Sequence, residues 1–158
     1  MNCHFNSPPP TYEERIASGE TVRALWLKQP YASLMLHGKE YETRSRGTNV
    51  RGLVLICSTQ RGYTVNEVVQ LASNQYGALM NCFRGMNTLP NGQAIAVGEL
   101  VNSFPMKPEH EGKAFVEYDP SRWCWQFANV RPIEPFPLPG KQGWSIIDNE
   151  TRNKIKFL

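Results

Sequence analysis

The sequence of 158 residues lacks long hydrophobic runs, paired cysteines and a strong excess of charge. No apolar run approaches the roughly 20 residues of a membrane-spanning helix, and the first residues lack the apolar stretch of a secretory signal. The four cysteines, Cys3, Cys57, Cys82 and Cys124, are widely spaced without a C-x-x-C pair, which argues against a zinc knuckle or a disulfide framework. These absences predict a soluble, cytoplasmic protein without a membrane partner, in which Cys57 and Cys124 are buried thiols.

Several signatures of catalysis are missing as well. The sequence contains no P-loop, no G-x-S-x-G and no H-E-x-x-H motif, which argues against three common kinds of enzyme site. His37 and His110 have no partners at the spacing of metal ligands, and we expect neither a metal nor a cofactor. The net charge of +3 allows an anionic partner but does not require one.

The most informative stretch is residues 27–46, which read LKQPYASLMLHGKEYETRSR. Pro30 suits the first turn of a helix, an apolar run follows it, and Gly38 can supply the left-handed residue that ends the helix. The pattern therefore predicts a helix over Pro30 to His37, followed by a charged strand.

Along that strand, period two places Glu42, Arg44 and Arg46 on one face and turns Thr43 to the other. Lys39 lies in the preceding turn and can reach the same charged face. Such a run is usually a solvated, salt-bridged surface strand. The alternative is a site, because a carboxylate between two cations stays ionised and suits a phosphate or the hydrogen-bonding edge of a base.

The flanking regions have weaker patterns. Residues 1–20 are rich in proline and polar residues, which predicts a flexible arm with at most a brief helical turn near Thr11 to Ala17. Thr64 and Glu67 form a capping box, which predicts a helix from Val65 to about Ser73 within an excursion beside the site. The apolar stripe expected for that helix comprises Val65, Val68, Val69 and Ala72. Residues 149–158 are a polar, basic tail.

The central stretch resembles the signature of the ASCH domain, a β-barrel family of the PUA-like superfamily. The matching residues are Lys28, Gln29, Pro30, Tyr31, Ala32, Lys39, Glu42 and Arg44. Residues 52–59, 96–106 and 123–144 also resemble that family in the same order, so the resemblance covers about residues 22–147. One departure is that Gly38 directly precedes Lys39, where the family pattern G-x-K-x-x-E-x-R has a residue between them.

The resemblance implies an α+β fold: a small, mostly antiparallel barrel of five or six strands with flanking helices over residues 21–148. It also implies that Lys39, Glu42 and Arg44 line a pocket on the barrel. Gln29 either caps the turn before the helix or reads a base, and Glu99 either points outward or pairs with Lys39.

Further ligand-binding candidates are Arg46, Trp125 and Lys141. Trp125 is either a core residue or a platform on which a base stacks. Lys141 lies on a glycine-flanked loop from which its amine can reach a phosphate, and the alternative is a solvated lysine.

Two functions follow from the resemblance. The first is binding of RNA or of a modified nucleoside. The second is hydrolysis of N4-acetylcytidine or of RNA, with Lys39 and Glu42 as catalytic residues. In the acetylcytidine amidohydrolases, a lysine matching Lys39 works with a threonine at the position of Glu42. Since a carboxylate here would have to act as a general base on water, binding is the preferred prediction.

Overall fold

The computed structural model describes residues 7–84, 88–140 and 143–158. These residues form six strands around which short helices pack. The strands are β1 (Val22–Leu27), β2 (Tyr41–Arg44), β3 (Gly52–Ser58), β4 (Gln93–Pro105), β5 (Trp123–Pro137) and β6 (Ser145–Ile146). The helices are α1 (Tyr12–Ala17), α2 (Tyr31–Leu34), α3 (Val65–Val69), α4 (Tyr76–Phe83), α5 (Glu111–Ala114) and α6 (Asn149–Asn153), with 3₁₀ turns at Ser73–Gln75 and Pro108–His110.

The strands form one sheet in the order β2-β5-β4-β3-β1-β6. Four of the neighbouring pairs are antiparallel, and β1 with β3 is parallel because the chain crosses over through α2 and β2 between them. The α+β class and the six strands agree with the prediction, but the sheet is mixed.

The sheet is not closed into a barrel in the described part of the chain, which corrects the barrel prediction. Its two edge strands, β2 and β6, are not neighbours in the strand order. The physical reason is the shortness of β6, which pairs only with Arg23 and Ala24 of β1. The second half of β1 therefore has no strand beside it on that side.

The core lies on both faces of the sheet. Along β3, Leu53 and Leu55 pack on the face that α1 covers, while Val54 and Ile56 pack on the face that α2 covers. This alternation with burial on both sides is what the continuous apolar run of β3 predicts. We call these the α1 face and the α2 face.

The first helix belongs to the packed body. Thr11 caps α1 by accepting a hydrogen bond from the Glu14 amide, and Tyr12 and Ile16 are buried in the core of the α1 face. Of the arm predicted over residues 1–20, residues 12–17 are thus a docked helix, because their two apolar side chains lie one turn apart on one helical face. Residues 1–6 lie outside the described residues.

The C-terminal segment covers the same face. Phe157 bridges to Ile133 of β5 and lies 6.0 Å from the Tyr12 ring, measured between ring centroids. The predicted polar tail, 149–158, therefore contains α6 and a packed aromatic residue.

The excursion between β3 and β4 contains the predicted capping box. The Thr64 amide donates to Glu67 Oε2 at 3.0 Å, and the Glu67 amide donates to Thr64 Oγ1 at 3.3 Å. However, α3 ends at Val69, and Val65 and Val69 are 79% and 62% exposed. The predicted apolar stripe is wrong at these two positions, because Leu71 just beyond the helix provides the buried contact.

No helix of the described ranges is both long and apolar enough to cross a membrane.

Candidate functional site

The turn before β2 begins with a short helix. The predicted helix over Pro30 to His37 is present as α2 with hydrogen-bonded turns after it, and Gly38 has the expected positive φ of 102°. The Lys39 amide then donates to the Leu34 carbonyl at 3.0 Å. This closes the turn and directs the Lys39 side chain into the protein.

Lys39 is buried, with 2% of its surface exposed. Its Nζ donates to the carbonyl oxygens of Tyr41, at 2.6 Å, and of Ala114, and it lies 3.8 Å from Glu42 Oε1. Burial lowers the pKa of Lys39 from 10.5 to about 8, an effect that the Glu42 carboxylate opposes. Lys39 is therefore a buried amine with three oxygen atoms around it.

Glu42 lies between two cations, as the sequence predicts for a site. Its Oε1 accepts from the Thr43 amide at 3.0 Å, and its Oε2 accepts from Arg44 Nη2 at 3.3 Å. Only 8% of Glu42 is exposed. Because the carboxylate is held from both sides, its orientation is fixed before any ligand arrives.

Arg44 connects β2 to β1. Its Nη2 also donates to the carbonyl of Trp26, at 3.2 Å, and its guanidinium carbon lies 5.4 Å from the centre of the Trp125 ring. The Arg44 side chain is 31% exposed. It therefore combines contacts to both strands with a surface open to solvent.

These side chains satisfy backbone groups at the gap between β1 and β2, which we call the seam. On β2, the carbonyls of Tyr41 and Thr43 accept from Lys39 and Arg122, and the Thr43 amide donates to Glu42. Side chains thus take the place of a neighbouring strand along this edge.

A cavity of about 600 Å³ opens at the seam. Its lining comes from β1, α2, β2 and α3, from the residue after β3, and from the segments before β5 and β6. It consists of Trp26, Lys28, Tyr31, Glu42, Thr43, Arg44, Thr59, Glu67, Gln70, Val116, Arg122 and Gly143. The volume falls within the range of small-molecule sites in proteins. The excursion that carries α3 therefore borders this cavity.

The structure brings only part of the predicted set to this cavity. Glu42 and Arg44 line it, and Lys39 lies behind Glu42. Trp125 is 6% exposed and stacks on Trp144 with 5.3 Å between ring centroids. The Arg44 guanidinium lies over its ring. Because Trp125 is buried between these neighbours, the structure favours the core alternative for this tryptophan.

Gln29 is fully buried beside α2. Its side-chain oxygen accepts from the Ser33 amide at 3.0 Å, and its Nε2 donates to Ser33 Oγ and to the Pro90 carbonyl, both at 2.8 Å. The amide is occupied by these partners and does not belong to the cavity lining. The structure thus supports the capping alternative.

Glu99 lies on the α1 face, away from the seam. Its Oε2 accepts from Arg15 Nη1 at 2.8 Å, and Arg15 also holds Glu20. Of the two alternatives for Glu99, the pair with Lys39 is not formed, because Glu99 of β4 finds its cation on α1, where the sequence predicts at most a brief helical turn.

Another candidate, Arg46, does not line the cavity. Arg46 is exposed beyond the end of β2, and its carbonyl accepts from Trp125 Nε1 at 3.0 Å. Lys141 lies outside the described residues.

Sequence reasoning missed Arg122 and misplaced Thr43. Arg122 directly precedes β5, and Trp123, the next residue, pairs with Arg44. Its Nη2 donates to the Thr43 carbonyl at 2.7 Å. Thr43 borders the cavity even though it alternates with Glu42, because the cavity runs along the edge of β2. Only knowledge of the β2–β5 register could have placed Arg122 here.

Tyr31 completes one wall. Its hydroxyl donates to the Glu67 carbonyl at 3.1 Å, which ties α2 to α3. Burial raises the pKa of Tyr31 to about 12, and nearby Glu42 adds to this effect. The residue is therefore a neutral phenol at physiological pH, and its ring offers an apolar surface.

Comparison with known proteins identifies solved structures of the same fold. No protein-family model and no curated protein matches the chain. The crystal structure of ASCH from Zymomonas mobilis matches with a TM-score of 0.53 and 12% identity, over 84% of this chain and 92% of that chain. A mutant of the Zymomonas mobilis protein, with one tyrosine replaced by phenylalanine, matches with a TM-score of 0.52 and 14% identity, over 84% of this chain and 94% of that chain.

Proposed function

Because this chain has the fold of the ASCH domain, we propose that its seam cavity binds a nucleobase, carried by RNA or by a modified nucleoside. The resemblance in sequence implies RNA or nucleoside binding for such proteins. The observation that carries the proposal for this chain is the Glu42 carboxylate, held by Lys39 and Arg44 at the wall of a cavity of about 600 Å³.

The chemistry of this arrangement matches the edge of a base. A carboxylate has about four acceptor positions, and Glu42 Oε2 accepts only from Arg44 among the described residues. Glu42 can therefore accept from an amino or imino group of a base, while Arg44 donates to a carbonyl or ring nitrogen. Tyr31 supplies aromatic surface in the same cavity, and such surface suits stacking.

The hydrolase alternative has less support. It requires Lys39 to stabilise negative charge on an acyl oxygen, but Nζ already donates to the carbonyls of Tyr41 and Ala114. The hydroxyl of a threonine at position 42 is also absent. We therefore propose binding, with turnover of N4-acetylcytidine as the competing outcome of the same assay.

The test is calorimetric titration with ordinary and modified ribonucleosides and short RNAs, followed by chromatography to detect any product. Glu42→Gln keeps the shape of the side chain and removes its charge. Since a hydrogen bond to a charged group contributes about 1.5–3 kcal/mol, we expect Glu42→Gln to weaken binding by roughly 10- to 100-fold.

Glu99→Gln is the matched control, because it makes the same change on the opposite face of the sheet. It should bind as the wild type does. Equal affinity of wild type and Glu42→Gln would exclude the proposed base contact. Product formation from N4-acetylcytidine would favour the hydrolase.

A further inference from the structure

Arg122 is a cation of the seam cavity that the base contacts proposed above do not use. It lines the cavity and is half-buried. Within the described ranges, its side chain donates only to Thr43, at 2.7 Å to the carbonyl and 3.4 Å to Oγ1, both from Nη2. A guanidinium carries five N–H donors in a planar fork, so most of its donors are free for a ligand.

Among the described residues of the cavity lining, the other two cations differ from Arg122 in having carboxylate partners. Arg44 pairs with Glu42 at 3.3 Å, and Lys28 lies 3.8 Å from Glu67. No carboxylate of the described residues lies within 4.0 Å of the Arg122 guanidinium. The nearby Asp119 carboxylate accepts instead from the Ser121 amide and hydroxyl, at 2.8 and 2.7 Å.

The position of Arg122 relative to the base contacts follows from β2. It holds the carbonyl of Thr43, whose amide is held by Glu42. Arg122 also lines the same cavity as Glu42 and Tyr31. A ligand whose base contacts Glu42 and Tyr31 therefore has Arg122 within reach of its attached groups.

We propose that the ligand of the seam cavity is a nucleotide and that Arg122 binds its phosphate. This proposal rests on the proposed nucleobase site. The fork of a guanidinium matches two phosphate oxygens, and partial burial strengthens the pair because water screens it less. The described residues of the lining include three cations and two carboxylates, an excess of one positive charge that suits an anion.

The experiment compares the four ordinary ribonucleosides with their 5′- and 3′-monophosphates by calorimetric titration of the full chain. For the base that binds, we expect at least one monophosphate to bind about tenfold or more tightly than its nucleoside. Arg122→Ala should remove this gain, so that the monophosphate binds no more tightly than its nucleoside does to the same variant. Arg122→Lys, which keeps the charge without the fork, should retain part of it.

Arg51→Ala is the control, because Arg51 is exposed and donates only to the carbonyls of Thr48 and Val50 among the described residues. The Arg51→Ala variant should keep the full gain in affinity of the monophosphate over its nucleoside. Equal affinities of nucleosides and monophosphates in the wild type would overturn the phosphate site and leave the nucleobase site standing. If Arg51→Ala and Arg122→Ala lost the affinity gain of the monophosphate equally, the phosphate site would also be overturned. The gain would then come from general attraction between the basic protein and an anion.

A measurement on the wild type alone guards against a misfolded variant. Monophosphate affinity should fall with salt more steeply than nucleoside affinity, by somewhat less than one unit of slope in log K against log salt concentration. Equal slopes would contradict the phosphate contact. If neither nucleosides nor monophosphates bind, the nucleobase site and the phosphate site both fail.

Discussion

Lys39 has a buried amine whose protonation is linked to folding. Burial lowers its pKa from 10.5 to about 8, so between these values the unfolded chain binds more protons than the folded one. The free energy of unfolding therefore rises with pH across that range. Tyr31 has the opposite effect only above pH 10, because its raised pKa of about 12 keeps the folded state protonated there.

We predict that the wild type gains about 2 kcal/mol of stability relative to Lys39→Met between roughly pH 7.5 and 9.5. Denaturant unfolding at several pH values measures this difference. Lys113→Met makes the same change at a lysine whose side chain is 60% exposed, and it should keep the wild-type pH dependence. Parallel curves for wild type and Lys39→Met would show that burial of the amine does not lower its pKa.

Among elements, α1 shows how a short helix becomes part of the core. It has six residues, and an isolated helix of that length is unstable in water. Tyr12 and Ile16 nevertheless pack against β1, β3 and β4, and Arg15 pairs with Glu99 at 2.8 Å. The stability of this helix therefore comes from its contacts with the sheet.

We expect Ile16→Ala to lower the free energy of unfolding by about 2–5 kcal/mol, because it leaves a cavity in the core. Thermal or denaturant unfolding gives the value. Val65→Ala, at a position 79% exposed on α3, should change it by less than about 0.5 kcal/mol. If both variants unfold like the wild type, α1 is not docked on the sheet.

The seam is the second feature at the scale of elements. It arises because β6 is too short to cover the second half of β1, while β2 has β5 on one side only. The same charged side chains therefore satisfy two unpaired strand edges and line a cavity. This double role explains how the charged run is both a structural feature of β2 and a candidate site.

For the molecule as a whole, the sequence predicted what depends on neighbours along the chain. Examples are the turn that Gly38 ends, the Thr64–Glu67 capping box and the Glu42 carboxylate between Lys39 and Arg44. It could not predict what depends on strand register. Arg122 reaches β2 only because Trp123 pairs with Arg44.

The misplacement of Glu99 has a similar physical origin. A carboxylate that points inward from an apolar strand needs a cation, and Lys39 was the candidate because it belongs to the predicted site. The fold supplies Arg15 instead, since α1 docks on the face to which Glu99 points.

The central claim, that the seam cavity is the nucleobase site, is tested most directly by nuclear magnetic resonance. The four ribonucleoside monophosphates are titrated into the ¹⁵N-labelled chain while backbone amide shifts are followed. For a monophosphate that binds, we predict changes at the Thr43 and Arg44 amides, with the amides of Tyr12 and Glu99 on the opposite face unchanged. Changes centred on the α1 face, or none with any monophosphate, would contradict it.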